Sequence, residues 1–522
     1  MAWFRSQWGT YVGNATAVRD FRVQMRGPRT IVIFATYLAL LILVAMLMYS
    51  NVADRGSTIS ISQAQGELKT FYWTVMGLLG LMIFTVTPAL SATSIVVERQ
   101  RRSLDLVFSA PVKPKYFLVG KLIGAYRYTW MLLILSLPVT SACVVLGGAA
   151  WQDVLITYVL LSLSGLLFSA VALLVSCSRN ITVVSAILLS YFACGSFVIG
   201  TTIMGGASLA MSFGSGGRGM EMSAWPALNP FTASLAAPSH SVIFGVPVLN
   251  VFLAAVFTFS ACQLLMLGAG SSLAPASSPE TRSLRIYGLL YGFALFFLLG
   301  WGISSGTSVF RSFGGPTAAP STSAVAGLSL LIGSGLLSLV LPNLACYGWD
   351  AERRFRPDGI FNPKRILSAR ASGGLPYLLL VLTLMILGVS VGALASGEWV
   401  LDWTYARLAT YTVSLWVCVW SVGRLTSSFN VGLRSARMLQ FVFVLAAAAL
   451  PPLVLTSFDR EAKPWGVWDL YLLRTLFESP DRWQHTVTMT VLLLVGAGLM
   501  TKISETKRIA MMPPAYDERE DV

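Results

Sequence analysis

Residues Phe71 to Val97 read FYWTVMGLLGLMIFTVTPALSATSIVV, an apolar run without a charged side chain that is closed at once by Glu98 and Arg99. A helix must supply about 20 mostly apolar residues to cross a hydrocarbon core of roughly 30 Å, because each residue advances it by about 1.5 Å. This run does so. Outward from it, the same reading gives twelve spans. The first six are Ile31 to Tyr49, Phe71 to Val97, Gly124 to Leu146, Val154 to Val175, Ile181 to Ile203 and Val246 to Leu267. The second six are Ile286 to Ile303, Ser323 to Cys346, Pro376 to Ala395, Leu408 to Val422, Phe441 to Thr456 and Thr486 to Met500. The last two are the weakest: one is short and holds Pro451 and Pro452, the other has only about 15 apolar residues, so each is open to being tilted, broken or re-entrant. The expected fold class is all-α, a polytopic transmembrane helix bundle of about 12 helices.

Composition agrees. Of 522 residues, 55% are hydrophobic and 11% charged, against roughly a quarter charged in a soluble domain. A soluble fold would lack polar surface, and disordered or collagen-like chains are excluded too. Mean hydropathy is +0.70. The 37 Lys and Arg against 23 Asp and Glu give a net charge of +14, and their placement decides what that excess means. When alternate loops are assigned to opposite sides, the side with both termini collects 28 of the 37 basic residues and the other side 9. By the positive-inside rule the basic side is cytoplasmic, with anionic lipid as its neighbour, in a plasma (inner) membrane. Little charge is left for nucleic acid to explain. The first 30 residues interleave Arg5, Arg19, Arg22, Arg26 and Arg29 with Trp3, Phe4, Trp8, Val18, Phe21 and Val23. That mixture could line an RNA-binding surface, but beside a membrane span it better fits an amphipathic helix lying in the interface. The first apolar run is followed by no small-residue cleavage pattern, so the chain is expected to keep it.

The two halves repeat. The second span ends Thr87-Pro88-Ala89-Leu90-Ser91 and reaches Glu98-Arg99 ten residues after its proline; the eighth ends Leu341-Pro342-Asn343-Leu344-Ala345 and reaches Glu352-Arg353 ten residues after its own. Each acid-base cluster leads to a second proline, Pro111 after Phe108 and Pro363 after Phe361. Chance similarity between proline-containing helix ends remains the competing explanation, but the offset of 254 residues is close to half the chain. We therefore expect two six-helix halves of parallel topology. Residues 1 to 30 form the cytoplasmic approach helix, 31 to 267 the first half, 268 to 285 a linker rich in Ser, Ala and Pro, 286 to 500 the second half and 501 to 522 a cytoplasmic tail. Two polar stretches, Gly205 to Gly245 and Ser457 to His485, precede the final span of each half and suit short interfacial or re-entrant helices, with Trp225 and Trp465 as candidate interface anchors.

The run Glu98-Arg-Gln-Arg-Arg-Ser-Leu-Asp-Leu-Val-Phe-Ser-Ala-Pro111-Val, followed by Gly120-Lys121-Leu122, resembles the cytoplasmic loop between the second and third helices of type-2 ATP-binding-cassette permeases. The stretch from Asn14 to Arg29, with Arg19-Asp20-Phe21-Arg22 at its core, is similar to that family's amphipathic helix before the first span. The resemblance covers about residues 14 to 140, and extends over the first half by topology. It implies a permease that binds cytoplasmic ABC ATPase subunits, with ATP held by the partner and no cofactor of its own, and it leaves room for further subunits. The ATPase-coupling loop would comprise Glu98, Arg99, Arg102, Leu104, Asp105, Leu106, Pro111 and Lys121. Charged members such as Glu98, Arg99, Arg101, Arg102 and Asp105 could offer charge-assisted hydrogen bonds to the partner. Leu104, Leu106, Val107 and Phe108 would supply the buried contact, and Pro111 would end the element. A plain solvated loop is the competing reading. The second half departs from the pattern: Glu352, Arg353 and Pro363 remain as the equivalent, without Leu-Asp-Leu or Gly-Lys.

The chain carries no Gly-x-x-x-x-Gly-Lys-Ser/Thr phosphate loop, and Gly120-Lys121 lacks the upstream glycine. An enzyme is not expected. His240 and His485 stand without a nearby second ligand, so neither marks a metal site. Cys143, Cys177, Cys194, Cys262, Cys346 and Cys418 lie in or beside apolar spans without Cys-x-x-Cys spacing, as small buried hydrophobes do. The spans hold almost no ionisable groups, whereas ion-coupled carriers need them; an external motor fits better. Arg127, at the start of the third span, would snorkel to the interface. Gly120/Gly124 and Gly388/Gly392 have the spacing that lets helices approach closely. The favoured expectation is an exporter of a hydrophobic or amphipathic substrate. The alternative is a non-transporting membrane scaffold that anchors a cytoplasmic ATPase or another partner.

Overall fold

The computed structural model describes residues 17–19, 22, 28–54, 61–101, 114–145, 148–177, 181–215, 225–237, 239–243, 246–273, 281–301, 323, 326–327, 329–330, 361, 363–367, 374–395, 397, 399–428 and 483–510. The span expected at Phe441 to Thr456 and most of that at Ser323 to Cys346 lie outside them. So do Arg102, Leu104, Asp105, Leu106 and Pro111 of the expected coupling loop, Glu352 and Arg353 of its second copy, and Trp465 and Cys346.

The described chain is a bundle of helices with one small hairpin. It divides into two compact units, Met1–Pro275 and Ala276–Val522. The first contains α1 (Pro28–Asp54), α2 (Ile61–Gln100), α3 (Pro114–Val145), α4 (Trp151–Ser176), α5 (Val183–Ser215), the short α6 (Trp225–Leu228) and α7 (Ala233–Ala236), strands β1 (His240–Ile243) and β2 (Val246–Leu249), and α8 (Asn250–Leu273). The second contains α9 (Thr281–Trp301), a single 3-10 turn (Pro363–Arg365), α10 (Gly374–Ala395), α11 (Trp403–Ser427) and α12 (Trp483–Ala510). Seven of these helices are long and apolar enough to cross a membrane: α2, α3, α4, α5, α8, α9 and α10. Their outward faces carry large apolar side chains such as Ile134, Leu188, Phe252, Phe259 and Leu290, as lipid-facing helices do.

Several boundaries differ from those expected. The sixth span does not begin at Val246, because Val246–Leu249 pairs antiparallel with His240–Ile243 and the helix starts at Asn250. Pro247 cannot donate within a helix, and the strand suits it. The linker is shorter than 268 to 285. Ser271 and Ser272 return their hydroxyls to the carbonyl of Gly268, so α8 runs on to Leu273, and α9 has begun by Thr281. The last helix, expected over Thr486 to Met500, spans Trp483–Ala510 and takes in residues assigned to the tail.

Trp225 is not an interface anchor. It is buried with its ring edge-on to Phe257, 6.0 Å between centroids. Its helix and α7 fold back among α2, α4, α5 and α8 around Asn229, which is itself buried. Asn229 donates to Thr202 Oγ1 at 2.8 Å and accepts from the amide of Phe231 at 3.0 Å, while Ser164 Oγ donates to the carbonyl of Leu228. Non-helical backbone inside a membrane bundle survives only if such groups meet it. Gly80 makes the insertion possible, since a Cβ there would sit 2.7 Å from the carbonyl oxygen of Pro230. Trp151, Trp399 and Trp403, by contrast, are strongly exposed near helix starts, as tryptophans at a membrane interface are.

In the first unit α2 packs along α3, α4 and α5, and α4 packs along α8; α1 touches α3, with Phe34 stacked on Tyr128 at 5.0 Å. In the second, α9 packs along α10 and α11 along α12. Trp151 opens α4 and Trp403 opens α11.

The α9–α10 contact is the tightest. A Cβ at Gly388 would lie 2.9 Å from the carbonyl oxygen of Phe293, and one at Gly392 would press on that of Phe297. Replacing Gly392 by Ala is therefore expected to cost about 1–3 kcal/mol by overpacking, read as a lower unfolding temperature in detergent. Ala at Gly498, where a Cβ meets nothing within 4 Å, should leave it unchanged.

Candidate functional site

Glu98 lies in the last turn of α2 and Lys121 near the start of α3. The C-terminal end of a helix disfavours a carboxylate, because the helix dipole is negative there. Lys121 has a separate difficulty: only 3% of its side chain is exposed, and it lies over the Phe117 ring at 5.5 Å. An ammonium buried without a partner is costly, since it gives up water for nothing. The two solve each other's problem. Lys121 Nζ stands 2.7 Å from Glu98 Oε1, and Arg19 Nη2, from the stretch before α1, reaches the same oxygen at 2.6 Å.

The neighbouring Arg99 turns the other way and donates to the carbonyl of Cys177 at 3.0 Å. Cys177 caps α4, whose final carbonyls have no partner within the helix. A cation at that end also meets the dipole favourably. Beneath both contacts, Ile95, Phe117, Leu118, Leu173, Cys177 and Ala269 form one apolar cluster from α2, α3, α4 and α8. A second, of Ala92, Val96, Ala172, Ile181 and Ala186, ties α2 to α4 and α5. The end of α2 is thus fixed on every side by apolar packing and by charge.

Of the residues expected to meet a partner, Glu98, Arg99 and Lys121 have partners within the chain. Glu98 and Lys121 come together, and Arg99 serves a different helix. Arg101 closes α2 by donating its amide to the carbonyl of Val97. Arg127 is half-buried, and Gly120 and Gly124 are buried. In the second unit, Pro363 opens the 3-10 turn, and the turn's following residue is held by Arg285. Arg285 is fully buried, donates from Nη1 to the carbonyl of Ile366 at 2.6 Å and stacks over the Tyr377 ring at 5.1 Å. Tyr377 returns its hydroxyl to the carbonyl of Arg285 at 2.9 Å.

Sequence reading did not single out Arg19 and Arg285 for these roles, nor Arg424, which is buried over the Trp420 ring at 5.4 Å. In the sequence Arg19 reads as part of an amphipathic interface helix, and Arg285 and Arg424 read as orientation charge. An arginine inside or immediately before an apolar run, with an aromatic four residues away as in Arg424 and Trp420, is the signal that could have separated them. The interior is also richer in hydroxyls than the apolar spans led us to expect. Tyr72 meets Thr157 at 2.9 Å, Thr87 meets Thr129 at 3.1 Å, and Tyr158 meets Ser136 at 2.6 Å and Thr140 at 2.9 Å. These pairs join α2, α3 and α4.

Cys143, Cys177, Cys194, Cys262 and Cys418 are free and buried. His240 sits in β1 opposite Leu249, and His485 in α12. Among the described residues, no three of His, Cys, Asp and Glu lie close enough to hold a metal ion. Compared with known protein families and with curated proteins, the chain matches none of either.

Replacing Glu98 by Gln would leave Lys121 facing a neutral amide. We expect a loss of about 1.5–3 kcal/mol, the scale of a charged hydrogen bond, read by thermal unfolding in detergent. Burial pushes the Cys177 thiol up to about 12, against the opposing pull of Arg99. A Cys346→Ser variant should accordingly resist a neutral, membrane-permeant alkylating reagent at pH 8 when folded and take up label at its five remaining cysteines when denatured.

Proposed function

We propose that this chain is the membrane permease of an ABC exporter, driven by ATP hydrolysis in separate cytoplasmic ATPase subunits. One observation carries the reading. The Lys121–Glu98 ion pair brings the two ends of the 99–120 segment together, and that charged segment is the one resembling the ATPase-contacting loop of type-2 permeases. A motor that pushes on a loop moves helices only if the loop's ends cannot yield separately. Here one end continues α2 and the other opens α3, and both are set in the apolar cluster around Ile95 and Phe117.

The partition of roles within the loop follows. Glu98, Arg99 and Lys121 brace it, while Arg102, Leu104, Asp105, Leu106 and Pro111 are the residues proposed to meet the ATPase. The basic end of the bundle faces the cytoplasm of a plasma (inner) membrane with both termini, in keeping with its excess of Lys and Arg. Twelve spans in two six-helix halves suit a path between the halves, and the division of the chain into two compact units near its middle supports that reading. The substrate is proposed to be hydrophobic or amphipathic, since away from the Glu98–Lys121 end the first unit's spans are joined by hydroxyl pairs such as Tyr72–Thr157, Thr87–Thr129 and Tyr158–Ser136.

The test is to isolate the full chain with its ATPase from the native membrane and to reverse Arg102 and Asp105 together, two residues outside the brace. The double reversal is expected to abolish association or ATP hydrolysis at unchanged thermal stability. Unaltered association and hydrolysis would remove the coupling assignment. An ATPase that binds at this loop but hydrolyses at one rate whatever lipid-like compound is supplied would point instead to an anchoring scaffold.

A further inference from the structure

Arg19 stands outside every group of residues that the resemblance assigns to coupling, yet it completes the site. It is the nearer of two cations on a single carboxylate oxygen, at 2.6 Å against 2.7 Å for Lys121. The two differ in setting. Lys121 is sealed in protein, whereas 57% of the Arg19 side chain is exposed. Lys121 is therefore the enclosed partner of the carboxylate, and Arg19 adds a contact at the surface that can be made or released without unfolding anything. It also brings in a third element. The residue is separated from Glu98 by 79 positions and belongs to the segment before α1. Beside it, Ala17 is fully buried, so this part of the segment is seated on the protein.

The second unit uses an arginine in another way. There Arg285, at the start of that unit's first helix, grips the carbonyl of Ile366 beyond the Pro363 turn. Each unit thus has an arginine that reaches a distant element of its own unit. One acceptor is a carboxylate shared with a lysine; the other is a backbone carbonyl, and its arginine is fully buried. Only the first is a surface ion pair.

We infer that Arg19 is a positioning residue: by clasping Glu98 it locks the segment before α1 to the junction of α2 and α3, so that these three elements move together when the loop is displaced. This inference rests on the permease reading for its consequence, delivery of the motor's push to the approach helix as well as to α2, but not for the clasp itself.

The clasp is tested on the full chain in phospholipid vesicles. Spin labels at Val18→Cys and Gln100→Cys, in a background with Cys346→Ser, report the distance between the two elements. The wild-type chain and Arg19→Lys should each give one dominant short distance. Arg19→Gln should add a longer one, with a roughly two- to fivefold gain in the separated population, the scale of a partly exposed ion pair. An unchanged distribution in Arg19→Gln overturns the clasp. In the complex with the ATPase, Arg19→Gln should lower ATP hydrolysis and Arg19→Lys restore it, a rescue that general loss of structure would not show. Altered distance with unaltered hydrolysis overturns the positioning role and leaves the permease reading standing. Failure of the wild-type chain to associate with any ATPase overturns that reading, and with it the consequence for coupling, while the vesicle measurement still decides the clasp.

Discussion

A lysine ammonium beside Phe117, with almost none of its side chain in water, requires a partner of opposite charge to offset its burial. Much of the described geometry at the basic end of the first unit answers to that requirement. Glu98 must end α2 within reach of the second turn of α3, so the two helices converge there. Arg99, one residue on, then points to α4 and takes the carbonyl that α4 leaves unpaired. The apolar cluster of Ile95, Phe117, Leu118 and Leu173 keeps water from the pair and strengthens it in turn. Either charge alone would be a liability at its place. Together they define where the intervening segment begins and ends.

The same accounting applies deeper in the bundle, where hydroxyls take the place of charges. Ser and Thr in these helices mostly return their hydroxyls to carbonyls three or four residues earlier, as Ser169 does to Gly165 and Thr85 to Leu81. Others reach across, and these connect α2, α3 and α4. Pro88 removes one backbone hydrogen bond from α2, and close to that gap Tyr191 of α5 donates to the carbonyl of Thr85. Interhelical hydrogen bonds of this kind are worth only a fraction of a kcal/mol to about 1.7 kcal/mol each in a membrane. They direct packing without freezing it. Where rigid contact is needed, the chain uses glycine instead, at Gly80 beneath the inserted Pro230 and at Gly388 and Gly392 against α9.

What could be read in the sequence divides along physical lines. Spans were legible because a hydrocarbon core imposes length and polarity on each segment independently, as in the charge-free run from Phe71 to Val97. The close-packing role of Gly388 and Gly392 was legible for a similar reason, since small residues one turn apart have few other uses in an apolar helix. The insertion of Trp225 was not. Its burial depends on Gly80, Ser164 and Thr202, which come from three other helices and carry no local mark of the contact. The site was half visible. Charge near Glu98 stood out, but a linear pattern cannot say whether charges face a partner or each other, and Lys121 looked like part of a Gly-Lys motif when it is the counter-ion of Glu98.

Each unit uses an arginine to tie distant elements together, with different chemistry. In the first, Arg19 takes the Glu98 carboxylate; in the second, Arg285 takes a backbone carbonyl. The acceptor in the second unit is the carbonyl of Ile366, which any residue could supply, so no side chain there had to remain a carboxylate. The guanidinium is enclosed and stacked on Tyr377, whose hydroxyl binds the arginine's own carbonyl in a closed ring of contacts. Such a junction has no exposed charge to release. That of the first unit, with Arg19 half in water and Lys121 sealed beneath it, separates a fixed contact from a reversible one on a single oxygen atom. On the proposed function the exposed Arg19 contact is the one a displaced loop can make and release, while the sealed Lys121 contact holds the ends of α2 and α3 together throughout.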